Sequence, residues 1–202
     1  MTDLTRWIAA LALAAFATPS LAQDVPPIEA YAEDVADLAA TDLLDWIRDP
    51  VVIDAIREAN VMHASMTQSQ IDALDLEWRR QTKIDAKYMI YDLLDRQASI
   101  VLRDKRETSK GIITEIIVMD KWGLNAAISD PTSDYYQGDE AKYRDTYPLG
   151  KDAVHVSEVE YDESTQKFQT QVSLTVVDPT DGNTPIGAVT FGIDLSQLKP
   201  GA

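Results

Sequence analysis

The 202-residue chain has no cysteine, and its two histidines, His63 and His155, stand far apart. No disulfide can staple the fold, so a buried core must stabilise it, and neither histidine has ligand spacing to the other. No serine sits in a nucleophile motif and no glycine-rich phosphate loop occurs. The Asp178 to Asn183 loop is too short for a calcium hand and lacks its terminal glutamate. With 34 acids in the chain, paired carboxylates arise by chance and cannot argue for a hydrolase. The sequence therefore predicts no enzyme, no metal and no cofactor, and His155, on a strand, reads as a structural histidine rather than a base.

Bases are scarce as well: 18 Lys and Arg against 34 Asp and Glu give a formal charge of −16. Such a balance repels phosphate backbones and anionic headgroups, which excludes nucleic acid and membrane surfaces as partners. Most of the acids read as a solvated surface that maintains solubility. Long apolar runs are confined to Trp7–Ala17, behind Arg6 and ahead of the small-residue signature Ser20-Leu21-Ala22. This run falls short of the roughly 20 residues that span a bilayer, so residues 1–22 are predicted to be a signal peptide cleaved after Ala22. No cysteine adjoins that site, which excludes a lipoprotein. A cysteine-free exported chain suits the bacterial periplasm, with no membrane insertion after cleavage.

After a linker at 23–27 containing Pro26 and Pro27, residues 28–110 read as helical. Ile28, Tyr31, Val35 and Leu38 recur at helical spacing with Glu29, Glu33, Asp34 and Asp37 opposite. Asp49-Pro50 restarts a helix before Ile53 and Ile56, as cap and first helical residue. Thr67 and Gln70 form a capping box ahead of Ile71, Leu74 and Trp78. A fourth helix carries Ile84, Tyr88, Tyr91, Leu94, Ala98 and Val101 along one stripe.

From 111 to 198 the period turns extended. Ile112–Met119 is a β-branched run, and Asp120-Lys121-Trp122-Gly123 turns the chain into Leu124–Ser129. Val154–Tyr161 and Gln166–Val177 flank a second turn, and Ile186–Asp194 closes the series. The expected fold is α+β, a helical N-terminal half packed on a five-stranded antiparallel sheet. Phe168, Val172, Leu174, Val176, Val189, Phe191 and Ile193 mark an apolar face. Gln169, Gln171, Ser173, Thr175, Ala188, Thr190, Gly192 and Asp194 mark a polar face of small side chains, which either meets water or leaves room for a ligand.

Between the second and third strands lies a long insertion, which favours the ligand, because long ordered connections carry function. It contains Thr132-Ser133-Asp134-Tyr135-Tyr136-Gln137-Gly138-Asp139-Glu140-Ala141-Lys142-Tyr143-Arg144-Asp145-Thr146-Tyr147. Tyrosine offers a flat apolar face and a hydroxyl at little entropic cost, as a recognition loop requires. Asp139 and Glu140 open a short helix, where acids also serve as ordinary caps. Tyr147 reads equally as a core residue closing the loop.

Ile116-Ile117-Val118-Met119-Asp120-Lys121-Trp122-Gly123-Leu124, the strand ending Ile128-Ser129-Asp130, the Asp134-Tyr135-Tyr136 loop with its Tyr143 helix, and Gly187-Ala188-Val189-Thr190-Phe191-Gly192-Ile193-Asp194-Leu195 resemble an extracytoplasmic Cache (PDC, PAS-like) sensor domain. Leu44-Asp45-Trp46-Ile47-Arg48-Asp49-Pro50 and Leu74-Asp75-Leu76-Glu77-Trp78-Arg79 extend the likeness to stand-alone periplasmic PDC-type proteins. The resemblance implies a long N-terminal helix on one face of a five-stranded sheet and a small-molecule pocket on the other. It places the amino-acid-sensing pattern of this family on Tyr135, Glu140, Lys142 and Tyr143. The tyrosines match, but an acid and a lysine replace the family's arginine and tryptophan. Asp194 matches the family's amine-binding acid. With Tyr136 and the polar-face Thr175 and Thr190, these are the candidate ligand-binding residues. Two acids and aromatic faces, without the carboxylate clamp, favour an amine or other cation.

The sequence thus predicts a periplasmic sensor that binds a small polar molecule and relays occupancy to a separate signalling or envelope protein. The alternative is a structural or adaptor protein, working through its N-terminal helices as a homodimer, with no physiological small ligand.

Overall fold

A computed structural model describes residues 25–39, 43–162 and 166–198. The expected signal peptide and cleavage site lie outside the described residues. A single turn of 3-10 helix, Ile28–Ala30, leads into α1 (Ala32–Leu38), followed by α2 (Leu44–Ile47) and α3 (Pro50–Met62). Asp49 caps α3 as its sequence predicts, its carboxylate accepting from Val51 N at 3.0 Å. In α4 (Gln68–Gln81) the Thr67–Gln70 capping box is present.

The expected fourth helix is two, α5 (Tyr88–Leu94) and α6 (Gln97–Thr108), broken at Arg96, whose backbone is extended. The reason is the destination of each apolar stripe. In α5 the expected stripe is displaced, since Tyr88 and Tyr91 are exposed and Ile90 and Leu93 enter one core instead, whereas Ala98 and Leu102 of α6 enter another. A straight helix could not reach both, so the chain bends around the sheet edge.

The sheet comprises β1 (Ile113–Asp120), β2 (Asn125–Ile128), β3 (Val154–Val156), β4 (Glu160–Asp162), β5 (Lys167–Val177) and β6 (Pro185–Asp194). Its order is β2-β1-β6-β5-β3, with β4 also paired to β5, and every pairing is antiparallel. The expected third strand is therefore divided into β3 and β4. Gln171 N donates to the Ser157 hydroxyl at 2.9 Å instead of to a main-chain carbonyl, which interrupts the ladder there. The fold is α+β, as expected, although short helices stand where the resemblance implies one long one.

Strand alternation distributes the core on two faces. Ile116, Val118, Val172, Leu174, Val189 and Phe191 pack with Val52, Ile53 and Ile56 of α3 and Ala98 and Leu102 of α6. On the opposite face, Ile117, Met119, Ile128 and Ala188 pack with Ile71 and Trp78 of α4, Ile90 and Leu93 of α5, and Tyr135 and Tyr143 of the insertion. The second face is thus apolar over β1 and β2. The sequence marked it as polar because the strands that carry its small and polar residues are β5 and β6.

Candidate functional site

The insertion between β2 and β3 is fastened to α4 before it reaches the sheet. Trp78 is fully buried, and its indole N–H donates to Thr132 O at 2.9 Å. One oxygen of Asp75 accepts from Tyr135 N and Tyr136 N, at 2.9 and 3.0 Å. Arg79 bridges Asp75 at 2.6 Å and Asp134 at 2.9 Å. These bonds satisfy backbone donors that the loop could not pair internally, and they fix it as a lid over the second face.

The lid tyrosines then point inward. Tyr135 stacks on Trp78 with centroids 5.3 Å apart and meets His63 edge-on, its hydroxyl 3.5 Å from Nε2. Burial, assisted by the Asp120 carboxylate, pushes its pKa up to about 12. Tyr143, on the short helix α7 (Ala141–Arg144), donates to Lys121 O at 2.6 Å and stacks on Tyr147 at 5.5 Å. Burial, and then Tyr147, raise its phenol even more strongly. Tyr136 is half-buried, with its ring against Gly138, where a Cβ would approach Cε2 to 2.4 Å. Tyr147 packs against the second core, as one of its two sequence readings had it.

Glu140 and Lys142 behave differently. Glu140 holds the N-cap position of α7, but its side chain makes no cap bond and pairs with Lys142 at 3.1 Å. Both line a cleft of about 240 Å³ with Glu115 of β1, Glu160 of β4, Gln169, Thr170 and Gln171 of β5, and Ser157. Gly192 of β6 lies under this region: a Cβ there would meet Thr114 Oγ1 at 2.4 Å and Glu115 Cγ at 2.8 Å. Gln171 donates to Glu115 at 2.9 Å, and Thr114 donates to Gln169 at 3.2 Å. Three carboxylates against one ammonium leave the cleft net acidic.

The remaining candidates sit in the sheet. Thr190 bonds Ser173 across strands at 2.9 Å, fully buried. Thr175 is buried, and its hydroxyl has no hydrogen-bond partner among the described residues. Asp194 is buried at the end of β6, where it accepts from Ser196 N and Oγ and meets Lys167 Nζ at 2.6 Å. Burial raises the Asp194 carboxyl, but Lys167 and Ser196 outweigh it and hold the group below the usual range. The structure therefore brings Glu140 and Lys142 together at the cleft. It places Tyr135 and Tyr143 in the core and Thr175, Thr190 and Asp194 within the sheet. Glu115 and Glu160 escaped the sequence reading. Alternation marked Gln171, but neither glutamate stands out among 34 acids.

His63, at the C-cap of α3, was also missed. Its Nδ1 lies 2.6 Å from Asp120 Oδ2, and both residues are buried. Asp120 Oδ1 accepts from Trp122 N and Leu124 N, at 2.8 and 3.0 Å. His155 reaches Asp145 at 3.5 Å. Among the described residues no group of three or more His, Cys, Asp or Glu could hold a metal ion, and no helix is long and apolar enough to cross a membrane.

No family model matches the sequence, and no curated protein matches it. Solved structures do. The sensor domain of the V. cholerae histidine kinase DctB is 14% identical, with a TM-score of 0.45, over 83% of this chain and 53% of that one. The ligand-binding domain of the Pseudomonas aeruginosa PAO1 amino acid chemoreceptor PctC, in complex with GABA, is 15% identical, with a TM-score of 0.40, over 83% and 62%. That of the Campylobacter jejuni chemoreceptor Tlp3, in complex with 4-methylisoleucine, is 11% identical, with a TM-score of 0.38, over 84% and 62%. This chain thus spans 53 to 62% of their lengths. It is similar to sensor and ligand-binding domains of a histidine kinase and of chemoreceptors.

Proposed function

We propose that the protein is an extracytoplasmic sensor of the Cache type, exported to the periplasm, whose ligand is a small amine or other organic cation. The observation that carries this reading is the acidic cleft beside the lid, where Glu115, Glu140 and Glu160 face a single ammonium, Lys142. Carboxylates there supply charge-assisted acceptors to a cation, and Gln169, Gln171 and Ser157 supply neutral hydrogen-bonding groups. The lid's attachment to α4 offers a route to the helical half, from which a separate partner protein would read occupancy. A ligand moves that equilibrium only by binding the two states unequally.

Calorimetry with a panel of small amines, quaternary ammonium ions and carboxylates tests the reading. Heat with cations that disappears in E115Q supports it; heat with carboxylates alone overturns it. The adaptor reading draws on apolar side chains exposed on the helices, Val61, Leu76 and Tyr88, each at least 70% accessible. A thermal-shift screen without response, together with tight capture of a defined partner by this helical surface, would favour it.

A further inference from the structure

One short turn is gripped from two sides. Lys121, between Asp120 and Gly123, gives its backbone N–H to Asn60 Oδ1 of α3 at 2.8 Å, while its backbone C=O accepts from Tyr143 of the lid at 2.6 Å. The α3 side is doubled by the buried His63–Asp120 contact at 2.6 Å. Asn60 also donates to Ile186 O at 2.7 Å, which anchors it to β6. The lid side is reinforced by Gln137 N, which donates to Gly123 O at 2.7 Å, and by Asn125 N, which donates to Tyr135 O at 3.0 Å. Gly123 has φ +78°, and a Cβ there would fall 2.5 Å from Gly138 Cα, so the lid backbone rests directly on the turn.

We infer that the Asp120–Gly123 turn is a mechanical relay by which the lid sets the position of the last turn of α3, with Lys121 as its pivot. The turn has little freedom of its own, because Asp120 Oδ1 clamps Trp122 N and Leu124 N. A displacement of Tyr143 therefore passes to Asn60 and His63 instead of being absorbed. Val61 and Met62, adjoining these two residues, are exposed. The relay ends at a solvent-facing apolar site, not within the core. Its use in signalling rests on the sensor reading; its existence does not.

The test needs no ligand. Amide hydrogen exchange is followed by NMR in the unmodified protein, Y143F, N60A and the double variant. Y143F removes one donor to Lys121 O, and the amides of Met62, His63 and Ala64 are expected to exchange about 2- to 10-fold faster, as loss of one hydrogen bond implies. In the N60A background, where only the His63–Asp120 tie joins α3 to the turn, Y143F is expected to accelerate those amides less than it does with Asn60 present, while its effect on the lid is unchanged. Should N60A fail to fold, H63A replaces it, because it removes the second tie of α3 to the turn and must shrink the response. The relay is overturned if Y143F accelerates only lid amides, or if its effect on α3 is the same with and without Asn60. Uniform acceleration that includes the β5–β6 pair also overturns it, since that reports general destabilisation. None of these results bears on whether the acidic cleft binds a cation.

Discussion

The two faces of the sheet solve the same burial problem with different materials. The face under α3 and α6 is largely aliphatic, built from Val, Ile and Leu around the buried Phe191, which the partly buried Trp46 meets edge-on at 6.4 Å, and one of its ties to the surface is the pair Arg57–Asp178 at 2.7 Å. The face under the lid is aromatic, and its rings keep polar handles: Trp78 on Thr132 O, Tyr143 on Lys121 O, Tyr135 beside His63. An aliphatic core is held by transfer from water and close packing alone. An aromatic core with hydrogen-bonded tips is also directional, because each ring must meet a specific backbone atom. The first face is suited to persistence and the second to a cover whose position is defined.

The largest test of this contrast is the paired truncation of Phe191→Ala and Trp78→Ala, each expected to cost about 3–5 kcal/mol. F191A should lower the denaturation midpoint for all probes together. W78A should also free the lid, so that amides of 132–147 lose protection before the β5–β6 amides do; simultaneous loss would erase the distinction between the faces. Next in size is G192A, about 1–3 kcal/mol from overpacking against Thr114 and Glu115. Because the displaced Glu115 lines the cleft, this variant should weaken cation binding more than it lowers stability, as calorimetry beside thermal denaturation would show.

The smaller tests use pH, and the two faces should fail at opposite ends. Bonds from Thr180, and then from Arg57, lower the Asp178 carboxyl to about 2. Its contribution is complete above the unfolded value of about 4 and is lost as pH falls through about 2. Acid denaturation followed in R57Q and in the unmodified protein should therefore differ less at the acid end than at neutrality. Tyr135 titrates upward instead, from about 10 unfolded to about 12 folded. Its contribution is intact below about pH 10 and is lost as pH rises through about 12. Ultraviolet absorbance of phenolate should show a late step that Y135F removes; a Tyr135 titrating with exposed tyrosines would place it outside the core.

The strands were legible because β-branched runs and alternating faces in β5 and β6 follow directly from side-chain geometry. The helix starts at Asp49 and Thr67 were legible because capping is local chemistry. The break at Arg96 was not, since a stripe on a helical wheel does not say which of two cores will receive each half. The insertion was legible as a lid segment by composition alone. The direction of its tyrosines was not, because their partners are a backbone carbonyl at Lys121 and an indole 57 positions upstream of Tyr135, at Trp78. His63 and Asp120 are likewise 57 residues apart, and no spacing rule links them. Charged cleft residues were the least legible, because in a strongly acidic chain a glutamate that lines a cleft looks like one that meets solvent.

The bend between α5 and α6 has a consequence for assembly. It lays Ser99 against the outer strand β2, where its hydroxyl accepts from Ile128 N at 3.0 Å, while Leu124 bridges to Tyr136 farther along. Those atoms are no longer available to template another strand. On the opposite margin, β3 pairs on one side with β5, and Val154 and Val156 are exposed. Growth of this sheet by strand addition, whether by a partner's peptide or by misassembly at high concentration, would therefore proceed from the β3 margin, beside the Asp145–His155 contact of the lid, and not from β2.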